Sequence, residues 1–432
     1  MGPAGMDTRW SAPLSTALQM PTGPRLPGVA TYAHVDFGRS AWVANCADRQ
    51  QPMQTLAARP ARAALVGSAR AYSGLTPYRG APATGAVQSS STRSISRRDS
   101  RVSNPIRVAV LGFWHVHAAE YAARVREHPD TELVAVWDDD LARGQAAADA
   151  AGVPFVHDLD ALLARDDLDA VTVTTATTEH HAIMLRVIQA GRHIFTEKLL
   201  APTVAEAEEV IEAADNASLA LVVSLPRLYH GYAQAIVEQL DEQRLGDLTY
   251  CRIRLSHDGA VAGWLPERFY DPAVAVGGAL SDLGCHPVYL TQLFLGAAPA
   301  TVSATYASFT KREVEDQAVV TLGYPGGVIG VVETGFVSNN PFTIEMHGTR
   351  ASLAYDSTRN QLKTLSAGED TWKSLSVPGN DADAFSQWVS HIQDGTRADD
   401  NLTRAVELTR LVSAANTAAA TGATVRYGMS TA

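Results

Sequence analysis

The chain is short of cysteine, of long apolar runs and of charge balance between its ends, and each shortage closes off a class of protein. Only Cys46, Cys251 and Cys285 occur in 432 residues, and none forms a CxxC pair. Neither a disulfide framework nor a cysteine-built zinc site is therefore expected, and a reducing cytoplasm is the expected compartment. No stretch approaches the ~18 uninterrupted apolar residues that span a bilayer, and runs such as 217–224 have strand length instead, so no membrane association is expected. Lys and Glu are absent from residues 1–104, which carry 12 Arg and 4 Asp, a balance of +8; the whole chain stands at −11, so the remainder stands at −19. Such an acidic body cannot release counterions from a phosphate backbone, and the leader's arginines are scattered singly. Nucleic acid is not an expected partner.

Residues 1–104 also lack a sustained helical or strand period and are rich in Ala, Pro, Gly, Ser and Arg. This composition buries too little apolar surface to offset its ordering entropy, so a disordered leader is expected. Three origins fit: a transit peptide, a secretion signal built on the twin arginines of Ser96-Arg97-Arg98, or a start codon assigned too early, with Val102 as initiator. No small-residue cleavage site separates the arginines from the first core strand, which weighs against secretion. The start-codon reading is favoured, and no chemistry is expected there.

From Pro105 the pattern changes. Hydrophobic residues make up 46% of the chain, and here they take on a period. Short β-branched runs at 106–112, 132–137, 168–174, 193–195 and 220–224 alternate with helical spacings at about 117–128, 142–151, 179–190 and 203–215. Strands alternating with helices of ~10–15 residues predict parallel βαβ units and a doubly wound sheet over 105–225. Ligands of such sheets bind beyond the carboxyl ends of the strands.

What this crevice lacks is most of its glycine. A dinucleotide loop reads G-x-G-x-x-G, but Gly112 is followed by Phe113-Trp114-His115-Val116-His117, with Trp114 and His117 in the second and third glycine places. Gly112 alone would be an ordinary strand-end turn. It gains weight from the βαβ order and from Asp138, at the tip of the second strand, where a carboxylate can accept both adenosine ribose hydroxyls and repel a 2′-phosphate. NAD is expected in preference to NADP. His115 and His117 line or pack the loop; two histidines at i and i+2 without a carboxylate or cysteine partner make a poor metal site, and no metal is expected.

Three motifs follow in order. Thr175-Ala176-Thr177-Thr178-Glu179-His180 precedes Gly191-Arg192-His193-Ile194-Phe195-Thr196-Glu197-Lys198, and later comes Gly277-Gly278-Ala279-Leu280-Ser281-Asp282-Leu283-Gly284-Cys285-His286. In this register the chain resembles the Gfo/Idh/MocA family, the glucose–fructose oxidoreductase and inositol dehydrogenase group, over roughly 106–428. The resemblance implies an N-terminal Rossmann domain joined to a C-terminal α/β domain with a large, open, mostly antiparallel sheet, and a nicotinamide between them. Lys198 matches the lysine of the family's Glu-Lys-Pro signature, beside the nicotinamide and the reacting hydroxyl. Asp282 and His286 match its D-x-G-x-H pair, whose histidine commonly serves as acid/base. Thr175, His180 and Glu197 match positions near the cofactor. The chain departs from the family at Leu199 and Ala176, where prolines are usual, and in the glycine loop.

The chemistry stands beside the family name. Oxidising a secondary alcohol requires a base for the hydroxyl proton while hydride leaves, and imidazole titrates near neutrality. Asp282 and His286 are four apart, so on a helix they share a face and the carboxylate can orient the ring. An ammonium at Lys198 would stabilise developing alkoxide charge. Taken singly, each residue has a duller reading: a solvated lysine, a helix cap, a core histidine.

Beyond 225 the chain continues as Pro226-Arg227-Leu228-Tyr229-His230, a helix to about 242 and strand candidates at 248–255, 300–309, 316–323, 328–336 and 342–347. Pro325-Gly326-Gly327 reads as a hairpin turn, and the last helix, 402–420, as structural. Arg227, Tyr229 and His230 are placed to reach a substrate, and Trp264 and Tyr270 can stack on a sugar ring or simply pack. Successive strands without helices predict an antiparallel sheet with one exposed face, so residues 226–432 are expected to bind substrate and to pair into a homodimer or homotetramer. The expected activity is NAD(P)-dependent hydride transfer to or from a hydroxyl-bearing carbon of a sugar, cyclitol or related polyol. Alternatives are an epimerase or redox-assisted glycosidase with tightly held NAD, and a non-catalytic dinucleotide-binding regulator.

Overall fold

The computed structural model describes residues 104–296 and 298–427. The expectations for the leader, and Cys46 with it, thus fall outside the described residues, apart from Asn104.

The first half is built from β1 (Ile106–Leu111), α1 (Ala118–Glu127), β2 (Thr131–Trp137), α2 (Leu141–Ala151), α3 (Leu159–Leu163), β3 (Ala170–Val173), α4 (His180–Gln189), β4 (His193–Thr196), α5 (Val204–Asn216) and β5 (Leu221–Val223). Local chemistry sets the helix ends. Asp140 caps α2 by accepting from the N–H groups of Ala142 and Arg143, and Gly152 closes it at φ 71°. Thr203 and Glu206 form a reciprocal capping box on α5. The apolar stripe Ala118, Tyr121, Ala122 and Val125 on α1 recurs at helical spacing and is buried.

All five strands pair in parallel, in the order β2-β1-β3-β4-β5. The chain leaves β1 toward β2 on one side and β3 on the other, so the topological switch point lies between the ends of β1 and β3. Val108 and Val110 face one core with Phe195, Val222, Phe385 and Trp388, while Ala109 and Leu111 face the other.

The second half contains α6 (Gly231–Asp241), β6 (Leu248–Ser256), α7 (Gly259–Ala262), α8 (Cys285–Leu295), β7 (Thr301–Ala307), β8 (Gln317–Gly323), β9 (Ile329–Gly335), β10 (Asn340–Gly348), β11 (Ala351–Asp356), β12 (Gln361–Ser366), β13 (Lys373–Leu375), α9 (Ala384–Asp394), α10 (Asp399–Thr421) and β14 (Val425–Arg426). Its nine strands run β13-β12-β11-β10-β6-β9-β8-β7-β14, antiparallel throughout except for the central β6/β9 pair. Leu322, Val320 and Val332 turn inward toward α8 and α10, whereas Val319 and Ile329 are exposed on the opposite face. On that face Arg252 bridges Glu333 at 2.8 Å and Glu345 at 3.3 Å.

Two findings add to the sequence reading. Strands β11 to β14 extend the sheet beyond the candidates read from the sequence, and α9 and α10 return to the first half. Trp388 of α9 is buried against Phe195, and the Asn401 side chain of α10 accepts from the Val223 N–H and donates to the Val223 carbonyl, both at 2.8 Å. Among the described residues no helix is long and apolar enough to cross a membrane.

Candidate active site

Gly112 ends β1 at φ +83°, where a Cβ would stand 2.5 Å from the Thr175 methyl and 2.9 Å from its backbone. Only glycine allows the loops after β1 and β3 to approach this closely. The loops are tied by His115 N–H donating to the Thr174 carbonyl at 3.1 Å and by the Thr174 hydroxyl donating to the Gly112 carbonyl. The following helix, α1, opens at this end of the sheet with no side-chain cap. The Ala118 N–H turns back to the His115 carbonyl at 3.2 Å, so the next N–H groups, of Ala119 and Glu120, and the positive end of the dipole remain for an anion, and a dinucleotide pyrophosphate fits the place.

The two lost glycines have a visible consequence. Trp114 stacks on Phe269 at 4.7 Å, its carbonyl accepts from Arg268 Nε at 2.5 Å, and the Thr178 hydroxyl donates to the Val274 carbonyl at 3.1 Å. Segment 268–274 of the second half is thus strapped across both loops that border the switch point. The Trp114 indole joins the apolar cluster of Leu265, Phe269, Tyr270 and Phe336.

Asp138 requires a correction. Its carboxylate is fully buried and does not offer itself to a ribose: it accepts from the N–H groups of Phe113 (2.6 Å) and Asp140 (2.8 Å) and is paired in fork geometry with Arg143 (2.7 and 3.0 Å). A carboxylate sealed among apolar strand ends needs such partners, and the loop supplies them first. Asp139, half-exposed and bound to Arg143, lies at the surface of this tip beside the exposed α2 cap Asp140.

The charged centre forms around Lys198, just beyond β4, where the Lys198–Leu199 peptide is cis. Its ammonium, on a residue only 4% exposed, donates to the Asp282 carbonyl and to Asp282 Oδ1, both at 2.8 Å, and lies 3.3 Å from Glu197 Oε1. His115 closes the cluster from the glycine-loop side. Its Nδ1 accepts from His117 N–H at 3.3 Å, so Nε2 carries the proton and donates to Asp282 Oδ1 at 3.1 Å. Tyr121 of α1 holds the far side, bonded to Glu197 Oε2 and, at 2.6 Å, to the Ser224 hydroxyl.

These contacts fix the charges. Burial alone would discharge Lys198, but Asp282, with Cys285 and Glu197 behind it, raises its pKa above the ordinary lysine value. Burial likewise opposes ionisation of Glu197, yet Lys198 and the neighbouring histidines bring it down to about 2. Asp282 is held well below the usual carboxylate range by Lys198 and His115 against the same burial. One buried cation therefore stands between the buried carboxylate of Glu197 and the partly buried one of Asp282.

His286 lies in α8, directly after a π-helical turn over Leu280–Gly284. The sequence reading gave Asp282 the task of orienting it; the structure assigns that task elsewhere. Asp282 is engaged by Lys198 and His115, and the wider π turn breaks the α-helical register that a four-residue spacing assumes. The His286 Nδ1 instead lies 2.8 Å from the Tyr289 hydroxyl. Burial, then Arg227 and Lys198, hold His286 well below the ordinary imidazole value.

The remaining candidates divide. His180 donates from Nδ1 to the Leu199 carbonyl at 2.8 Å, and burial lowers its pKa to about 4, so it braces the Lys198 turn as a neutral ring. Thr175 packs under Gly112. The Arg227 guanidinium covers the Phe342 ring at 4.4 Å, and the backbone N–H of Arg227 donates to the Tyr289 hydroxyl at 3.0 Å. Tyr229 packs on the cluster that includes Phe385 and Trp388, and His230 meets Tyr232 edge-on. Trp264, 37% exposed, donates to Asp258 and lies against His257 at 4.6 Å. Sequence reasoning missed Tyr121, Ser224, His257 and Tyr289. Ser224 and His257 directly follow strands β5 and β6, a position that could have flagged them. His257 is buried, stacked on Phe336, and close enough to feel Asp282 and Lys198.

The model of an oxidoreductase family with an NAD-binding Rossmann fold, Gfo/Idh/MocA, matches residues 106–225, and that family's C-terminal domain model matches residues 233–354. The chain is similar to dTDP-3,4-didehydro-2,6-dideoxy-alpha-D-glucose 3-reductase of Streptomyces antibioticus, 29% identical over 251 residues that make up 58% of this chain and 75% of the relative. It is also similar to D-glucoside 3-dehydrogenase of Escherichia coli, 29% identical over 264 residues, 56% of this chain and 73% of the relative. Among solved structures, GenD2 from gentamicin A biosynthesis in complex with NAD superposes with a TM-score of 0.66 at 25% identity, over 78% of this chain and 100% of that one.

Proposed function

The chain belongs to the Gfo/Idh/MocA family and is an NAD(P)-dependent oxidoreductase acting on CH–OH groups; on that premise we propose that it interconverts a secondary ring hydroxyl and the corresponding ketone of a hexose-derived sugar, with position 3 as the first carbon to test. The observation that carries this reading is the meeting of Lys198, Asp282 and Glu197 in one buried cluster beside the switch point, with His286 following Asp282 on the same helical run. Two relatives that act at position 3 of a hexose support the choice of carbon.

When bound, the nicotinamide supplies the hydride acceptor or donor. The protein positions the substrate oxygen and manages its proton. Lys198 donates twice to Asp282 at 2.8 Å, while its carboxylate contact with Glu197 at 3.3 Å is longer, as is its 3.4 Å approach to the His115 ring. The Glu197 contact yields more readily than the Asp282 bonds to a substrate oxygen, where the ammonium stabilises alkoxide character. His286 provides the second contact to the same oxygen and is the acid/base. Asp282 and His115 keep the ammonium in place, and the strap formed by Trp114, Arg268 and Phe269 excludes water from above.

NAD is the preferred form, because the exposed groups at the tip of β2 include the carboxylate of Asp139, which repels a 2′-phosphate. Residues 105–225 serve the cofactor and 226–432 serve substrate binding and self-association, with α9 and α10 also bracing the first sheet. The open face of the nine-stranded sheet, with Val319 and Ile329 exposed, is the surface for a homodimer or homotetramer, and a concentration-independent monomer mass in light scattering would contradict it. The buried free thiols Cys251 and Cys285 suit a reducing cytoplasm. The test is a panel of sugars, glycosides and cyclitols with NAD and with NADP, followed at the reduced-nicotinamide absorbance. Turnover with no member of the panel by a protein that binds NAD would remove the substrate reading.

A further inference from the structure

His286 and Tyr289 stand one turn apart on α8, both almost wholly buried. Their bond can be read for direction. The Tyr289 oxygen accepts from the backbone N–H of Arg227 at 3.0 Å, a donor that cannot be turned around. The hydroxyl has one proton, and the acceptor in reach is the His286 Nδ1 at 2.8 Å. With Nδ1 accepting, a neutral imidazole must carry its proton on Nε2. Among the described residues that atom has no hydrogen-bond partner.

We propose that Tyr289 is a positioning residue which fixes the tautomer of His286, so that the ring presents an Nε2–H donor to the substrate oxygen and the resting site is matched to the ketone form of the sugar. The inference rests on the placing of His286 at the reacting oxygen. A carbonyl oxygen has two lone pairs and no proton, and the site offers it two donors, the Lys198 ammonium and Nε2–H. An alcohol oxygen brings a proton of its own, which Nε2 can accept only once the ring has given up its Nε2 proton and carries one on Nδ1 instead, with the Tyr289 hydroxyl turned to accept from it.

Two independent readouts follow. In protein labelled with 15N-histidine, the long-range 15N–1H pattern of His286, identified by its loss in His286→Gln, is expected to be that of the Nε2–H tautomer at neutral pH. An Nδ1–H pattern overturns the proposal. This measurement needs no substrate, so it stands even if the sugar assignment fails.

The second readout is the pH profile of kcat/KM for ketone reduction in Tyr289→Phe. The groups around His286 are Arg227 from the turn after β5, Lys198 beyond β4, His117 from the loop before α1, and Asp282 and Tyr289 from its own helical run. Donation from Tyr289 to Nδ1 favours the neutral ring, so its removal should raise the pKa of His286 and move the limb on which reduction falls as the ring loses its second proton to higher pH by roughly half to one unit, the worth of one hydrogen bond. The opposite tautomer gives a downward shift and a purely structural tyrosine gives none; either result overturns the proposal. The Michaelis constant for the ketone is also expected to rise more than that for the alcohol. Should the variant fail to fold because the Arg227 N–H is left unpaired, the labelled wild type decides alone.

Discussion

Replacing Lys198 by methionine removes one charge while keeping most of the stem, and its cost can be worked from the contacts. The ammonium is 4% exposed and is the cation bonded to Asp282 and set beside Glu197. Breaking a buried pair by removing one partner costs about 3–5 kcal/mol, because the charge left behind is uncompensated. The pH dependence should reverse as well. In the wild type the carboxylates have depressed pKa values, so their stability is present above the ordinary carboxylate value and is lost only as pH falls through the folded one. In the variant, burial acts without the ammonium and raises the folded pKa of the pair. A raised value gives stability that is full at low pH and is lost as pH rises through it. The gap between wild type and variant should therefore be widest at about pH 8 and narrow toward about pH 5. Urea unfolding at intervals between those limits measures it. Turnover should fall by roughly two to three orders of magnitude, as when one oxyanion donor is removed, while NAD affinity stays within a few-fold. A gap under about 1 kcal/mol that ignores pH would refute the placement of this cation between two carboxylates.

Glu197→Gln should flatten the acid limb of stability: the wild type keeps the contribution of Glu197 above the usual value of 4.5 and loses it as pH falls toward about 2, an amount up to about 3 kcal/mol at ~1.4 kcal/mol per unit. Equal slopes for the two proteins in acid urea titrations would contradict this. Gly112→Ala forces a methyl to within 2.5 Å of Thr175 at a positive φ, so a loss of at least ~2 kcal/mol and of NADH fluorescence binding is expected. Phe269→Ala removes the stacking partner of Trp114, a contact worth about 0.5–1.5 kcal/mol, and NADH release in stopped flow should quicken by up to roughly tenfold. Unchanged release would mean that segment 268–274 does not retain the cofactor.

The parallel sheet was legible because its strands are buried on both faces and read as short, mostly apolar runs rich in β-branched residues, as Ile106 to Leu111 does with Ile106, Val108 and Val110. The strands from Ala351 to Leu375 were not, because they are short, only partly buried and rich in Ser, Thr and Ala. Lys198, Asp282 and His286 stood out as candidates because their spacing resembles a family pattern, and the structure joins Lys198 to Asp282, but who else bonds to whom could not be read. That depended on a π turn which no periodicity announces, and on Tyr289, whose hydroxyl looks like one more aromatic on an apolar helix. Asp138 was misjudged for a related reason: a strand-tip carboxylate satisfies either a ligand or its own loop, and the choice was made by Arg143 and two backbone N–H groups. Trp114 looked like damage to a glycine loop, whereas its indole is the anchor for a segment far along the chain.

The amide of Asn401 has an implication for the integrity of the chain. It meets the N–H and carbonyl of Val223 as a neighbouring peptide would, and β5 is the last strand of its sheet. One side chain on a helix thereby does the work of a sixth strand and leaves that rim with less to offer a stray β-segment. A protein cut before residue 399 would uncover it, and its failure should appear first as self-templated aggregation rather than as weakened catalysis.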